Sequence, residues 1–276
     1  MIRALPKPRP IISAQKPNRL PKGKAVSIGL GFRCDRGVVL CSDTQITWKG
    51  RHKAHESKLF YLSGHDWTMA SVYAGDPHLW RSFKGRFHEL VTTRPHGKAA
   101  TTGELGEIVE TALCYFDDLD NDPLALCLIV GIVIPSKEIA LIKTEGKVAS
   151  EIAVFDYVGC GDSSVLRYLA SITADKDAWM TIDQALYTGT HWVRHAKTYV
   201  EDCGGDTDAF VLHWNGGMQS RSEMTYNWEQ HILRLERDVA SLRRSFWDVS
   251  VSDAEFGNKL GIFCQRLKEE RQLHIR

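Results

Sequence analysis

The alternation of apolar and polar positions divides the chain into runs with different periods. Residues 26 to 43 read VSIGLGFRC, then DRG, then GVVLCSD. The two apolar runs predict short strands, and the turn residues between them predict a hairpin. SKLFYLS and DWTMASVYAG alternate well enough to predict a second strand pair. After Gly75 the period changes: Leu79, Phe83, Phe87 and Leu90 recur every three or four residues, as do Leu105, Ile108, Ala112 and Phe116. That spacing predicts two helices, the second with acids in its first turn. LALCLIVGIVI, EIALIKTEG and AVFDYVGCG return to strand-type composition. A short helix is then expected over 162–172 and a longer one over 181–200, with the seam Ile182, Leu186, Gly189, Val193, Ala196 and Val200. DAFVLHW is a last strand, closed by NGG. Runs of strands separated from runs of helices predict an α+β fold with layered sheets rather than a parallel βαβ fold.

From about residue 221 the pattern differs again. Trp228, Ile232, Leu235, Val239, Leu242 and Phe246 alternate spacings of four and three, and Phe256, Leu260, Phe263 and Leu267 repeat the pattern. Two amphipathic helices are predicted, with docking on the parent domain and contact with another subunit both open. The chain thus divides into a basic, proline-rich tail (1–25), a main domain (26–217) and a helical extension (218–276).

Composition changes this picture little. A chain of 276 residues with 43% hydrophobic and 25% charged residues is ordinary for a globular protein. The net charge of +1 argues against a nucleic-acid partner. The sum hides a polarised chain: residues 1 to 24 carry seven Lys or Arg and no acid, so the remainder carries about −6. The tail holds five prolines and no apolar run suited to a signal peptide or a membrane span. No membrane partner is expected, and the seven cysteines, none in a C-x-x-C pair, suggest reduced thiols in the cytoplasm. His191 and His195 in HWVRH stand at i and i+4, as metal ligands on a helix would. The segment lacks the glutamate of H-E-x-x-H and no third ligand is evident, so no metal is expected. GCGDSS and CGGDTD lack the spacing of a nucleotide-binding loop, and no cofactor is expected.

Asp43 is the first chemically pointed residue, because it ends an apolar run. A carboxylate leaving a core costs several kcal/mol unless a cation or a set of donors meets it. The segments SIGLGFRCDRGVVLCSDTQIT, SKLF, YAGD, VGCGD and CGGDTDAFVL, in this order, resemble the β-type subunits of proteasomes and their bacterial relatives. These are N-terminal-nucleophile (Ntn) hydrolases, and the similarity spans about residues 26 to 214. It implies a four-layer αββα sandwich in which the first residue of the mature first strand is the nucleophile. That position falls on Ser27, and Gly31 matches the glycine four residues on. Asp43 matches the family's acidic residue, Lys58 its lysine, and Gly75 the glycine whose N–H faces the oxyanion. Cys160 and Cys203 fall where neighbours of the nucleophile are usually serine, with Gly161 and Gly204 beside them.

The chemistry of that set is coherent. A serine hydroxyl needs a base, and a free α-amine on the same residue, with a pKa of about 7.7–8, supplies one. A lysine ammonium nearby depresses the amine's pKa, a carboxylate holds the lysine, and a backbone N–H stabilises the oxyanion. Two positions depart from the family. Val26 stands where precursors carry glycine, and the second aspartate falls on Val200, with Glu201 and Asp202 beside it. The resemblance implies a threonine/serine-type endopeptidase that cleaves amide bonds in a peptide or protein substrate, as a homo-oligomer without cofactors. Two alternatives stand beside it: a catalytically inactive assembly or scaffold protein, and a small-molecule amidohydrolase on the same fold.

Overall fold

Strand β7 (Leu126–Ile134) is buried along its whole length, and its alternation shows how the core is divided. Leu126, Leu128, Val130, Ile132 and Ile134 join one apolar cluster, while Cys127, Ile129 and Val133 join another on the opposite face. A strand covered on both faces reads as a continuous apolar run, which is why LCLIVGIVI is legible as buried β-structure. The computed structural model describes residues 27–47, 53–93, 100–159, 170–171, 179–201 and 203–274. The tail, Val26, Cys160, Gly161, Asp202 and nearly all of the helix expected over 162–172 lie outside the described residues.

The described elements are antiparallel, in line with the α+β expectation. One five-stranded sheet has the order β10 (Phe155–Gly159), β1 (Ile28–Cys34), β2 (Gly37–Asp43), β11 (Thr207–His213), β12 (Met218–Ser220). The other runs β5 (Leu59–Ser63), β6 (Thr68–Gly75), β7, β8 (Glu138–Glu145), β9 (Val148–Glu151). A two-stranded ribbon, β3 (Gln45–Thr47) with β4 (Lys53–His55), leaves the end of β2. Both expected hairpins are present, β1 with β2 and β5 with β6.

Three apolar clusters hold these sheets. Helices α1 (Pro77–Thr92) and α2 (Thr102–Leu113) bury Trp80, Phe83, Phe87, Leu105 and Val109 against one face of the β5–β9 sheet. A short helix, α3 (Asp118–Asn121), adds Leu119. Val38 and Leu40 of β2 meet Val72, Ile129 and Leu141 of the other sheet. Phe32, Val39 and Cys41 face Leu186, Trp192 and Val193 of α4 (Ile182–Tyr199). Gly31 marks how close the sheets come: a Cβ there would stand 2.4 Å from the Ile129 Cγ2 atom. Helix starts are set by capping. The Asp76 carboxylate accepts from the His78 N–H at 2.7 Å ahead of Pro77, and Thr181 with Gln184 forms a capping box at α4.

The C-terminal extension begins as part of this core. Helix α5 (Ser222–Trp247) buries Thr225, Trp228 and Ile232, and Trp228 joins the cluster around Trp192. The Thr225 hydroxyl donates to the Thr207 carbonyl at 2.6 Å. Past Ile232 the seam leaves the domain: Val239 is 50% exposed and Phe246 65%. Helix α6 (Asp253–His274) packs back on α5 through the Phe246–Phe256 ring contact and the Arg266–Asp238 ion pair. Trp228→Ala should therefore lower unfolding stability by about 3–5 kcal/mol. Trp247→Ala, at a position 75% exposed, should change it by less than about 0.5 kcal/mol. Urea denaturation of the two variants checks the contrast.

Candidate functional site

Asp43 ends β2 with its side chain fully buried, paired across the sheet with Thr207. Its Oδ1 atom accepts from the Lys58 Nζ at 2.6 Å and from the Ile28 N–H at 3.0 Å. Its Oδ2 atom accepts from the Gly204 N–H at 3.1 Å. An ionised carboxylate is an acceptor with about four lone-pair sites, so a lysine alone would leave it underused at a buried position. The backbone supplies the difference.

Local folding brings each donor to this point. The β1–β2 register, Gly29 opposite Ser42, sets the Ile28 amide beside Asp43. Lys58 directly precedes β5, whose Leu59 pairs with Val72, so the ammonium arrives from the other sheet. The ion pair is therefore a tie between the sheets. Gly204 belongs to the segment between α4 and β11, which is stitched across the end of β2. The Gln45 N–H donates to the Gly204 carbonyl at 3.0 Å, the Thr44 N–H to the Asp206 carbonyl at 3.0 Å, and the Asp206 N–H to the Thr44 hydroxyl at 2.9 Å.

Ser27 lies one residue ahead of the Ile28 amide and is 2% exposed. Its carbonyl packs on Gly159, where φ is +108° and a Cβ would stand 1.8 Å from that oxygen. Only glycine tolerates both conditions. The same hypothetical Cβ would stand 3.1 Å from the Cβ of Ala74, which places Gly75 one residue from the Ser27 corner. Gly75 itself has φ +124°, with the Ala125 carbonyl 2.2 Å from where a Cβ would be, so its backbone shape also requires glycine.

Of the eight residues singled out by sequence, Asp43, Lys58 and Gly204 thus meet directly, and Ser27 and Gly75 border the same end of the sheets. Cys203 is buried next to Gly204, its N–H donating to the Val200 carbonyl at 3.0 Å. Cys160 and Gly161 fall outside the described residues. Val200 packs its apolar side chain on the α4 cluster, and exposed Glu201 receives the Lys53 Nζ on its carbonyl at 3.2 Å. The Ile28 amide, the donor role of Gly204 and the fit of Gly159 were not anticipated. The one sequence signal for the two amide donors is the lone-pair count of a buried carboxylate, and the fit of Gly159 has none. Of the buried thiols of the β1–β2 hairpin, Cys41 lies two residues before Asp43 and Cys34 at the far, turn end; burial pushes Cys34 up to about 12 and also raises Cys41, so neither is ionised at neutral pH.

No family model matches the chain, and no curated protein matches it. Its fold is that of solved structures of Anbu. The chain superposes on Anbu (ancestral beta-subunit) from Yersinia bercovieri with a TM-score of 0.67 at 12% identity, over 79% of this chain and 96% of that one. For the Anbu (Gly-1) mutant from Hyphomicrobium sp. strain MC1 the TM-score is 0.65 at 15% identity, covering 78% and 96%. For the helical assembly of the Anbu complex from Pseudomonas aeruginosa it is 0.55 at 16%, covering 76% and 96%. At these identities the likeness shows the fold alone, shared with structures of which one is named an ancestral beta-subunit. Among the described residues no helix is long and apolar enough to cross a membrane.

Two outcomes are expected from this geometry. Asp43→Asn and Lys58→Met should each cost about 3–5 kcal/mol by stranding a buried partner, and the double variant should cost clearly less than the sum. A double-mutant cycle in denaturant measures this. Alkylation of the native protein at pH 8 should modify exposed Cys114 and Cys264 while sparing Cys34 and Cys41, read by peptide mass mapping.

Proposed function

We propose that this chain is a proteasome-like Ntn hydrolase of four-layer αββα build, a peptidase whose nucleophile is Ser27 after removal of residues 1 to 26. The observation that carries this is the convergence of Lys58 Nζ and the Ile28 N–H on one oxygen of Asp43. Two donors sharing one acceptor oxygen support a reading in which the residue ahead of Ile28 stands near a held ammonium. The layered build is supported by helices on the outer face of each sheet and a third apolar cluster between the sheets.

In this reading the liberated Ser27 amine takes the hydroxyl proton, directly or through water, as Oγ attacks the peptide carbonyl carbon. The Gly75 N–H donates a hydrogen bond to the oxyanion and stabilises its charge. Collapse breaks the C–N bond, the leaving amine takes the proton from Ser27, and water then hydrolyses the ester. Lys58 keeps the local potential positive and so holds the amine unprotonated near neutral pH. Asp43 positions Lys58, and no cofactor enters. With the nitrogen of Ser27 still in an amide, the base is missing and turnover fails.

An assembly role is favoured by a separate observation. Phe246, Trp247, Leu260 and Ile262 are exposed on the two terminal helices, a pattern suited to contact between copies. A cytoplasmic homo-oligomer accommodates both readings, since the catalytic centre and these helices are separate features.

Intact mass separates them. The hydrolase reading predicts a species beginning at Ser27 that cleaves fluorogenic peptides, with both cleavage and turnover abolished in Ser27→Ala. A full-length chain in large particles, inert on peptides, would support the scaffold. Cleavage of small amides but not peptides would move the assignment to an amidohydrolase.

A further inference from the structure

The helix pair α4–α5 brings together a group that the sequence leaves incomplete. His191 and His195 lie one turn apart on α4, and the third member comes from α5, where Glu236 continues the inward stripe of Trp228 and Ile232 at a spacing of four. The Glu236 Oε1 atom stands 3.3 Å from His195 Nε2 and 3.7 Å from His191 Nε2. The three ligand atoms all lie within 4.8 Å of one another. Ligand atoms held about 2.0–2.1 Å from a tetrahedral ion stand about 3.4 Å apart, so two of the three separations already suit one centre.

We propose that His191, His195 and Glu236 form a site for a zinc-class divalent ion that clips α5 to the main domain. Two imidazoles and a carboxylate suit such an ion, leaving a fourth position for water. The rings are held in place beforehand: Tyr187 stacks on His191 and Tyr199 on His195, with the two histidines 4.6 Å apart edge to face. Arg194 meets both Glu236 oxygens at 2.6 Å. On ion binding Oε1 turns to the metal while Oε2 keeps the guanidinium, which acts as the outer partner that orients the carboxylate. The ion joins elements held otherwise by Trp228, Ile232 and the Lys197–Glu229 pair, so its effect falls on the docking of α5. This inference does not depend on Ser27 being a nucleophile.

The test uses the full chain without a polyhistidine tag, stripped with a chelator and titrated with Co²⁺ and then Zn²⁺. One Co²⁺ per chain is expected, with visible ligand-field bands of a four- or five-coordinate centre that Zn²⁺ abolishes. Zn²⁺ should raise Tm by several degrees at saturation. His191→Ala and His195→Ala should each weaken Zn²⁺ binding by at least about tenfold, the lower end of what loss of even an outer partner costs. Absence of the Co²⁺ bands in the wild-type chain would overturn the proposal whatever the variants do. So would Zn²⁺ affinity unchanged in a folded His191→Ala/His195→Ala double variant, which would mark the cluster as an ordinary polar helix contact.

Discussion

A single carboxylate organises the end of this molecule at which the strands, the loop and the candidate nucleophile meet. Asp43 is buried with its charge answered by the Lys58 ammonium from the opposite sheet and by the amides of Ile28 and Gly204. Burying an ion pair gains little net stability over an apolar replacement, because desolvation offsets the attraction. What the pair contributes is uniqueness of position. Any shift of β1, β5 or the 203–206 segment strands a charge in a medium that punishes it, so all three are held in one arrangement. A catalytic centre needs that kind of fixity, and so does an assembly subunit whose sheets must not slide.

Much of the fold was legible because its central strands are covered on both faces and its helices on one. The runs at 28–34, 37–43, 68–75 and 126–134 are apolar through sheet burial, and α1, α2 and α4 show clean three-and-four spacing. The elements that escaped notice, the β3–β4 ribbon, β9, β12 and α3, are three or four residues long. Lys53–His55 is exposed throughout and β9 nearly so, and such strands exist only because a neighbour offers hydrogen bonds. Periodicity carries no trace of them.

The site was legible in a different way. That Asp43 required a partner followed from charge and burial, but the choice of Lys58 came through a resemblance of short motifs in register. The backbone donors had no side-chain signature, and the fit of Gly159 against the Ser27 carbonyl depends on two strands meeting at their ends. The histidine pair on α4 illustrates the same limit. Its spacing was visible, whereas Glu236 comes from another helix and becomes its neighbour only once Trp228 and Ile232 have docked. At the C-terminus, the apolar seam predicted one continuous face, but only its first turns reach the core. The rest stays on the surface, where the two readings of the protein's role diverge.

The most direct test of the Asp43 junction is the lysine ammonium spectrum of the protein prepared with isotope-labelled lysine. A resonance from a buried ammonium, protected from exchange with water at neutral pH, is expected, lost in Lys58→Met and shifted in Asp43→Asn. A spectrum in which every lysine ammonium exchanges freely would contradict the buried pair and remove the basis for placing Ser27 beside it.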